Sequence, residues 1–364
     1  MPKPETVTQA RAAFDQALGA SSGSGSDPGT EPDTIVVRAP GRVNILGEHT
    51  DHNDGLCLPA AIDLDLVVVA AAGDGIDVVS DGADPLPLTQ AVAAELNALG
   101  RPDTGIVAGV ATEIPVGGGL SSSAAFEAGV GLALAQVAGW TTDDASLAAA
   151  YRRAEHAGLG VPCGPLDQMA VIFGRAGEAM FLDCRDLSTH PVTLPEGAAI
   201  IVVDSGISRE LATSGYATRV AECKEAAREL GVASLRDAQD MPLSDIRERL
   251  PARLYRRARH VITENERVRE ATGPAGRDAL ALGQLLNQAH ISLSSDYEAS
   301  LPEIDEIAER LQRTKGIFGA RLTGAGWGGS LIALAVADRA EWIAEQLPEH
   351  AIVVHTADGA GLVD

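Results

Sequence analysis

The densest group of chemically capable side chains lies in Ala39-Pro-Gly-Arg-Val-Asn-Ile-Leu-Gly-Glu-His-Thr-Asp-His-Asn-Asp-Gly-Leu-Cys-Leu-Pro59. Arg42, Glu48, His49, Asp51, His52 and Asp54 stand close together there. Three chemistries suit such a set. It can be a solvated polar turn between two strands. It can be a metal centre, since His49-x-x-His52 and the neighbouring carboxylates are all possible ligands, although no third partner at a defined spacing follows. It can be a polyol site, because carboxylates and imidazoles accept from and donate to several hydroxyls at once. The bracketing residues Pro40, Gly41, Gly47 and Gly55 shape the loop and favour the third chemistry over a plain turn.

A second stretch, Pro115-Val-Gly-Gly-Gly-Leu-Ser-Ser-Ser-Ala124, has the residues of a phosphate cradle. Glycines let backbone N–H groups approach a ligand where a Cβ would collide. Serines supply hydroxyls and suit a helix N-cap. The positive end of a helix then faces the loop. A Gly-rich turn with a serine cap is the plain alternative. No Gly-Lys-Ser/Thr follows, so this is not a Walker A loop. Lys3, Lys224 and Lys315 are the only lysines. Positive charge at a phosphate must therefore come from arginine, a metal ion or the helix end.

Two further carboxylates stand apart. Glu155 falls in the last turn of a helix, where the dipole disfavours it and hints at a cation partner. Asp167, in Val161-Pro-Cys-Gly-Pro-Leu-Asp-Gln168, suits an N-cap or a turn as well as catalysis. Arg321-Leu-Thr-Gly-Ala-Gly-Trp-Gly-Gly-Ser330 contains a formal G-x-G-x-x-G, but an apolar strand follows where a dinucleotide fold needs a helix.

Periodicity places these groups on elements. Residues 4–19 read as an amphipathic helix, and residues 20–33 as a Ser, Gly, Asp and Pro loop. Strands are expected at 34–38, 60–72, 77–80, 109–115, 180–186, 198–204 and 352–355. Helices are expected at 88–99, 124–138, 143–158, 217–232, 245–272 and 276–313, the last three with arginine-rich faces read as solvated. The second Gly-rich loop thus joins a strand to a buried helix.

The chain has 364 residues, 45% of them hydrophobic, enough for two packed domains. Its formal charge of −23 argues against nucleic acid and against anionic membrane surfaces. Cys57, Cys163, Cys184 and Cys223 form no C-x-x-C pair, so reduced thiols in a cytosol are expected. Charged residues near the N-terminus exclude a signal peptide, and no apolar run reaches the ~20 residues of a membrane span.

Pro-x-x-x-Gly-Leu-Ser-Ser-Ser-Ala resembles the second motif of the GHMP small-molecule kinases. Gly41-Arg-Val-Asn-Ile-Leu-Gly-Glu-His-Thr-Asp51 resembles the signature of the galactokinases among them. Ala154-Glu-His156, Pro162-Cys-Gly-x-x-Asp-Gln168, the segment ending Tyr216-x-x-Arg219 and the third Gly-rich motif follow in the order that family has, so the resemblance spans residues ~36–334. It implies an α+β fold of two domains, residues 1–195 and 196–364, with the active site in the cleft between them. It implies ATP- and Mg²⁺-dependent phosphorylation of galactose at the anomeric hydroxyl. Asp167 would be the catalytic base and Arg42 would stabilise the transferring phosphate. Glu48, His49, Asp51, Gly164 and Tyr216 would bind the sugar. Pro115, Gly117, Gly118, Gly119, Leu120, Ser121, Ser122, Ser123 and Ala124 would bind ATP, and Ser123 with Glu155 would hold Mg²⁺. A cytoplasmic monomer with only small-molecule partners is expected.

Departures from the pattern matter for specificity. His52 and Gly215 replace the usual Tyr and Glu, Trp327 and Ser330 replace Phe and Cys, and residues 101–108 lack the aromatics that flank adenine in relatives. His52 is expected to reach around the sugar ring. Gly215 is expected to open room for a substituent, which keeps amino sugars, arabinose and galacturonate as alternative substrates. A ligand sensor without turnover is the alternative from another class, although Ser121-Ser-Ser-Ala-Ala125 is complete.

Overall fold

The computed structural model describes residues 1–21, 32–82, 84–115, 117–160, 163–208 and 212–363. Residues 22–31 of the expected N-terminal loop lie outside the described residues.

Helix α1 (Pro4–Ser21) precedes the long hairpin of β1 (Ile35–Leu46) and β2 (Leu56–Gly73). Then come β3 (Ile76–Ser80), α2 (Leu86–Ala98), β4 (Gly105–Thr112), α3 (Ser122–Val137), α4 (Asp144–Leu159), α5 (Leu166–Phe173), β5 (Glu178–Asp183) and β6 (Ser188–Thr193). The second half holds β7 (Ala198–Asp204), α6 (Ala212–Leu230), α7 (Leu243–Arg249), α8 (Ala252–Ala271), α9 (Ala279–Ser295), α10 (Pro302–Arg313), β8 (Ile317–Leu322), β9 (Ser330–Val336), α11 (Ala340–Gln346), β10 (Ala351–Val354) and β11 (Gly361–Leu362).

The first sheet runs β11-β1-β2-β4-β3, with β5 and β6 continuing from the far end of β2. Its neighbours are antiparallel except β3 and β4, which α2 joins in parallel. Strand β2 explains why both faces are covered. Val67, Val69 and Ala71 pack under α1 against Ala10, Phe14 and Ala17. Leu66, Val68 and Ala70 point the other way into the main core with α3. Period-two alternation of apolar residues on both faces makes the run continuous.

The second sheet, β10-β7-β9-β8, is antiparallel throughout. Ile200, Val202, Ile332 and Leu334 join the core of the first sheet, together with Leu282, Leu285 and Leu286 of α9. Ile201, Val203, Leu331 and Ala333 face α8, α10 and α11. Residues 355–363 then return to the first sheet. Val37 pairs with Leu362, Ala357 N–H donates to Ala61 O at 2.9 Å, and Arg38 Nη1 donates to Asp358 O at 3.1 Å.

Proline explains where the expected helices break. The segment 245–272 splits because Leu250, before Pro251, is extended at φ −107°, ψ 144°. In the segment 276–313, α9 ends earlier, at Ser295, and α10 restarts at Pro302 after an extended Leu301. Strand β6 and helix α11 had no clear periodic signal, and β6 is largely exposed. Among the described residues no helix is long and apolar enough to cross a membrane.

Helix α1 touches β4 backbone to backbone at Gly109, where a Cβ would overlap Ala10 and Phe14. Gly109→Ala should therefore lower unfolding free energy by about 1–3 kcal/mol through overpacking. Urea denaturation measures this, and kcat should hold because the site lies elsewhere. An unchanged midpoint would refute the contact.

Candidate active site

The β1–β2 connection folds into a turn that needs left-handed residues. Gly47 has φ 92°, His49 φ 60° and Asp54 φ 54°. Thr50 Oγ1 lies 2.9 Å from Gly47 O and 2.7 Å from Leu56 O, and Asn53 Nδ2 donates to His49 O at 3.0 Å. One face of α8 holds this loop by its backbone. Gly47 N–H donates to Glu264 at 2.8 Å and Leu56 N–H to Asn265 Oδ1 at 2.8 Å. His260 Nε2 lies 3.0 Å from Glu48 O, and its Nδ1 lies 2.9 Å from Ser292 Oγ. Burial pushes His260 down to about 4, so a neutral ring donates to that carbonyl.

Arg321, fully buried on β8, crosses to the same loop. It donates to Leu322 O at 2.7 Å and Ile45 O at 3.2 Å, and pairs with Glu48 and with Glu264. Glu264 also pairs with Arg267 at 2.6 Å. Burial alone would raise the Glu264 pKa, but the charges of Arg267 and Arg321 prevail and set it at about 2. Burial raises Glu48, opposed by Arg321 and Arg42.

The arginine-rich faces of α6 and α8 are therefore not simply solvated, as expected from sequence. Arg257 is 1% exposed and bonds Glu222 at 2.5 Å and Asp296 O at 2.5 Å.

Facing the cleft are Glu48, His49, Asp51, Gly164 and Tyr216. Among the described residues neither ring nitrogen of buried His49 finds a partner at hydrogen-bond geometry. Burial and the neighbouring His52 keep this ring neutral, with its pKa well below the usual range. Gly164 is required beside Asp51, since a Cβ there would overlap the carboxylate.

His52 does not reach around a ring in the cleft. It stands behind Asp51 and Tyr216, with Nδ1 3.3 Å from each and Nε2 3.3 Å from Tyr297 Oη. Spent on these partners, it cannot join His49 at a metal.

Gly215 opens no room either. A Cβ there would sit 2.8 Å from the Trp327 ring, so the indole fills the space a longer residue would take. Trp327 holds φ 52°, and the Arg219 guanidinium lies 5.5 Å from its ring.

On the opposite wall lies the Gly-rich loop. Gly117 (φ 76°), Gly119 (φ 83°) and Ser121 (φ 61°) turn the chain into α3. Ser121 holds the N-cap position, but its hydroxyl makes no capping bond and is buried without a partner among the described residues. Ser123 Oγ donates to Glu155 Oε1 at 2.9 Å. Glu155 Oε2 accepts from Gln168 Nε2 and Cys163 Sγ, each at 2.8 Å. Gln168 also reaches the buried Glu127 at 3.0 Å, whose pKa is pushed well up by burial and by Glu155.

Arg42 joins the two walls. Its N–H donates to Leu120 O at 3.0 Å, Nη1 to Gly119 O at 2.6 Å and Nε to Asp167 Oδ1 at 2.8 Å. Asp167 sits in the first turn of α5. The cleft between holds about 330 Å³, a size suited to a small molecule. Gly117, Gly119, Ser121, Ser122 and Ser123 line it. Pro115 is exposed beside Gly118, which packs on it, and Leu120 and Ala124 are core residues. Gly324 and Ala325 of the third Gly-rich motif complete the wall, though sequence reading assigned them no role.

Residues 27–72 match the galactokinase galactose-binding signature, residues 88–175 the GHMP kinases N terminal domain, and residues 268–353 the GHMP kinases C terminal domain. The chain is 37% identical to a galactokinase of Roseiflexus sp. (strain RS-1), over 89% of this chain and 88% of that one. It is 36% identical to the galactokinase of Homo sapiens, over 95% and 92% respectively. The solved structure of Lactococcus lactis galactokinase complexed with galactose superposes with a TM-score of 0.86 and 27% identity, covering 99% of this chain and 100% of that one.

Glu264→Gln should lower stability at pH 7 by about 3–5 kcal/mol, because it strips charge from the partner of a buried Arg321. The native carboxyl is depressed from 4.5 to about 2, so its contribution is present above pH 4.5 and lost as pH falls towards 2. The wild-type advantage in urea midpoint should shrink across that window. A flat difference would rule out the charge as its source.

Proposed function

The chain belongs to the galactokinase family, and on that premise we propose how its cleft transfers the γ-phosphoryl group of ATP to the anomeric hydroxyl of galactose, giving galactose 1-phosphate. The observation that carries the assignment of roles is the Arg42–Asp167 pair, set where the sugar-side residues meet the Gly-rich loop.

Asp167 takes the proton from the attacking hydroxyl. Arg42, already bound to Asp167 and to the loop carbonyl of Gly119, offsets charge that develops on the transferring group. Glu48 and Asp51 accept from sugar hydroxyls, the neutral His49 offers one donor and one acceptor, and Tyr216 donates. Gly117, Gly119 and the serines from Ser121 to Ser123 surround the triphosphate with backbone N–H groups and hydroxyls.

Ser123 and Glu155 place two hard oxygens side by side, a donor set that fits Mg²⁺, which takes few protein ligands and keeps several waters. They would hold the ion, which when bound neutralises phosphate charge. We further propose a cytoplasmic monomer with sugar and ATP as its only partners. All the groups named come from one chain, and the net charge of −23 disfavours polyanions.

Galactose differs from glucose only in the direction of the C4 hydroxyl. A buried acceptor such as Asp51 loses its contact when that hydroxyl turns away, which costs about 1–3 kcal/mol or more for a charged group. With Trp327 beside Gly215 and His52 behind Asp51, no observation favours a larger or modified sugar.

Asp167→Asn should lower kcat by about 10²–10⁴-fold while galactose still binds calorimetrically. Near-normal kcat would remove Asp167 from the proton transfer. Glu155→Gln should raise the Mg²⁺ concentration for half-maximal ATP binding, and an unchanged requirement would count against that ligand. In a coupled ADP-release assay, kcat/KM for galactose should exceed that for glucose by at least about tenfold. Parity would withdraw Asp51 as the discriminating group.

A further inference from the structure

His52 occupies a position at which the galactokinases usually carry Tyr, and it lines no part of the cleft. It nevertheless touches the two residues that do. Nδ1 lies 3.3 Å from Asp51 Oδ1 and 3.3 Å from Tyr216 Oη, and Nε2 lies 3.3 Å from Tyr297 Oη. Tyr297 Oη in turn lies 3.4 Å from Cys223 Sγ. Within the galactokinase reading, we propose that His52 is a positioning residue for the sugar. Donating from Nδ1, it holds Asp51 as a pure acceptor and leaves the Tyr216 hydroxyl proton free for the substrate.

The argument is one of hydrogen-bond polarity. A carboxylate only accepts, so Nδ1 must carry a proton to bond Asp51. Tyr216 faces that same N–H and can bond it only by accepting. Its own proton is then released towards the cleft. Of the two neutral tautomers, the one with its proton on Nδ1 keeps this arrangement, and the one with Nδ1 bare reverses it, taking the Tyr216 proton and turning a lone pair on Asp51.

The surroundings favour the doubly protonated ring. Burial lowers its pKa, but Asp51 and then Cys223 outweigh burial and bring it to about 9. The groups that face it are Asp51 and His49 from its own loop, Tyr216 and Cys223 from α6, and Tyr297 after α9. His49 meets it edge-on at 6.1 Å as a neutral ring and adds no rival charge. Both tyrosine hydroxyls have their pKa values raised by burial, so they stay protonated across the same range.

Asp51 and Tyr216 together then demand one oxygen that both donates and accepts. A hydroxyl does so. A protonated amine at that place has no lone pair for Tyr216 and should be rejected.

The test is galactose affinity at pH 7 with this one ring changed. His52→Phe, which keeps a ring but cannot donate, should raise the galactose KM about tenfold and leave the ATP KM within about twofold. His52→Tyr, which returns a donor to the position, should recover most of that loss. A His52→Phe protein with a normal galactose KM, or a His52→Tyr protein as impaired as His52→Phe, overturns the proposal. Calorimetry on the wild-type protein needs no variant: the 4-amino-4-deoxy analogue of galactose should bind at least about tenfold more weakly than galactose, and equal affinity overturns the proposal as well. A wild-type protein that binds no galactose overturns the galactokinase reading instead.

Discussion

A guanidinium without access to water must find its partners inside the protein or not be there at all. Arg321 is in that position, and its partners come from three places: Ile45 O at the end of β1, Glu48 in the loop after it, and Glu264 on α8. Removing these charges from water is expensive, and an apolar core of the same shape would be at least as stable. The arrangement gives something an apolar core cannot. Direction is imposed on the loop that carries Glu48, His49 and Asp51, whose backbone Glu264, Asn265 and His260 also hold. Glu48, His49 and Asp51 are thus oriented by a strand and a helix of the second half of the chain.

Arg42 performs the corresponding service between the two walls of the cleft. One side chain bonds Asp167 and a loop carbonyl, while its own backbone N–H holds the next one. A chain with so few lysines concentrates much at a single guanidinium. Asp167, the Gly-rich loop and strand β1 are held together through it, so a displacement of any of them would be felt by the others. Gln168 does the same at smaller scale between Glu155 and Glu127.

Much of this was legible in the sequence, and the failures have physical causes. Motif order led to the residues that face the cleft, and apolar periodicity located most strands and helices. The supports of the β1–β2 loop were hidden, because His260, Glu264 and Asn265 lie some two hundred positions from it on a helix whose arginines suggested a wet surface. Only three-dimensional packing pairs Arg257 with Glu222 or Arg321 with Glu48. The departure at Gly215 was misread because it was weighed without Trp327. In space they are one exchange, since the indole stands where the missing side chain would be. Serine at the start of α3 was placed correctly, but its hydroxyl is left unpaired rather than spent on the helix.

Residues 355–363 close the first sheet, pairing with β1 and bonding the β2 backbone at Ala61. Synthesis runs the other way. A ribosome delivers β1 and β2 early, and their outer edge then waits, unpaired, while nearly three hundred residues follow. Domains that can fold as units do so during translation. Here the first sheet cannot be finished until the final strand emerges, and its exposed edge is open to other chains meanwhile. Charged Arg38 on that edge, later bound to Asp358 O, is the kind of residue that discourages such pairing. The order of synthesis thus leaves β1 as the edge most open to wrong pairing until β11 arrives.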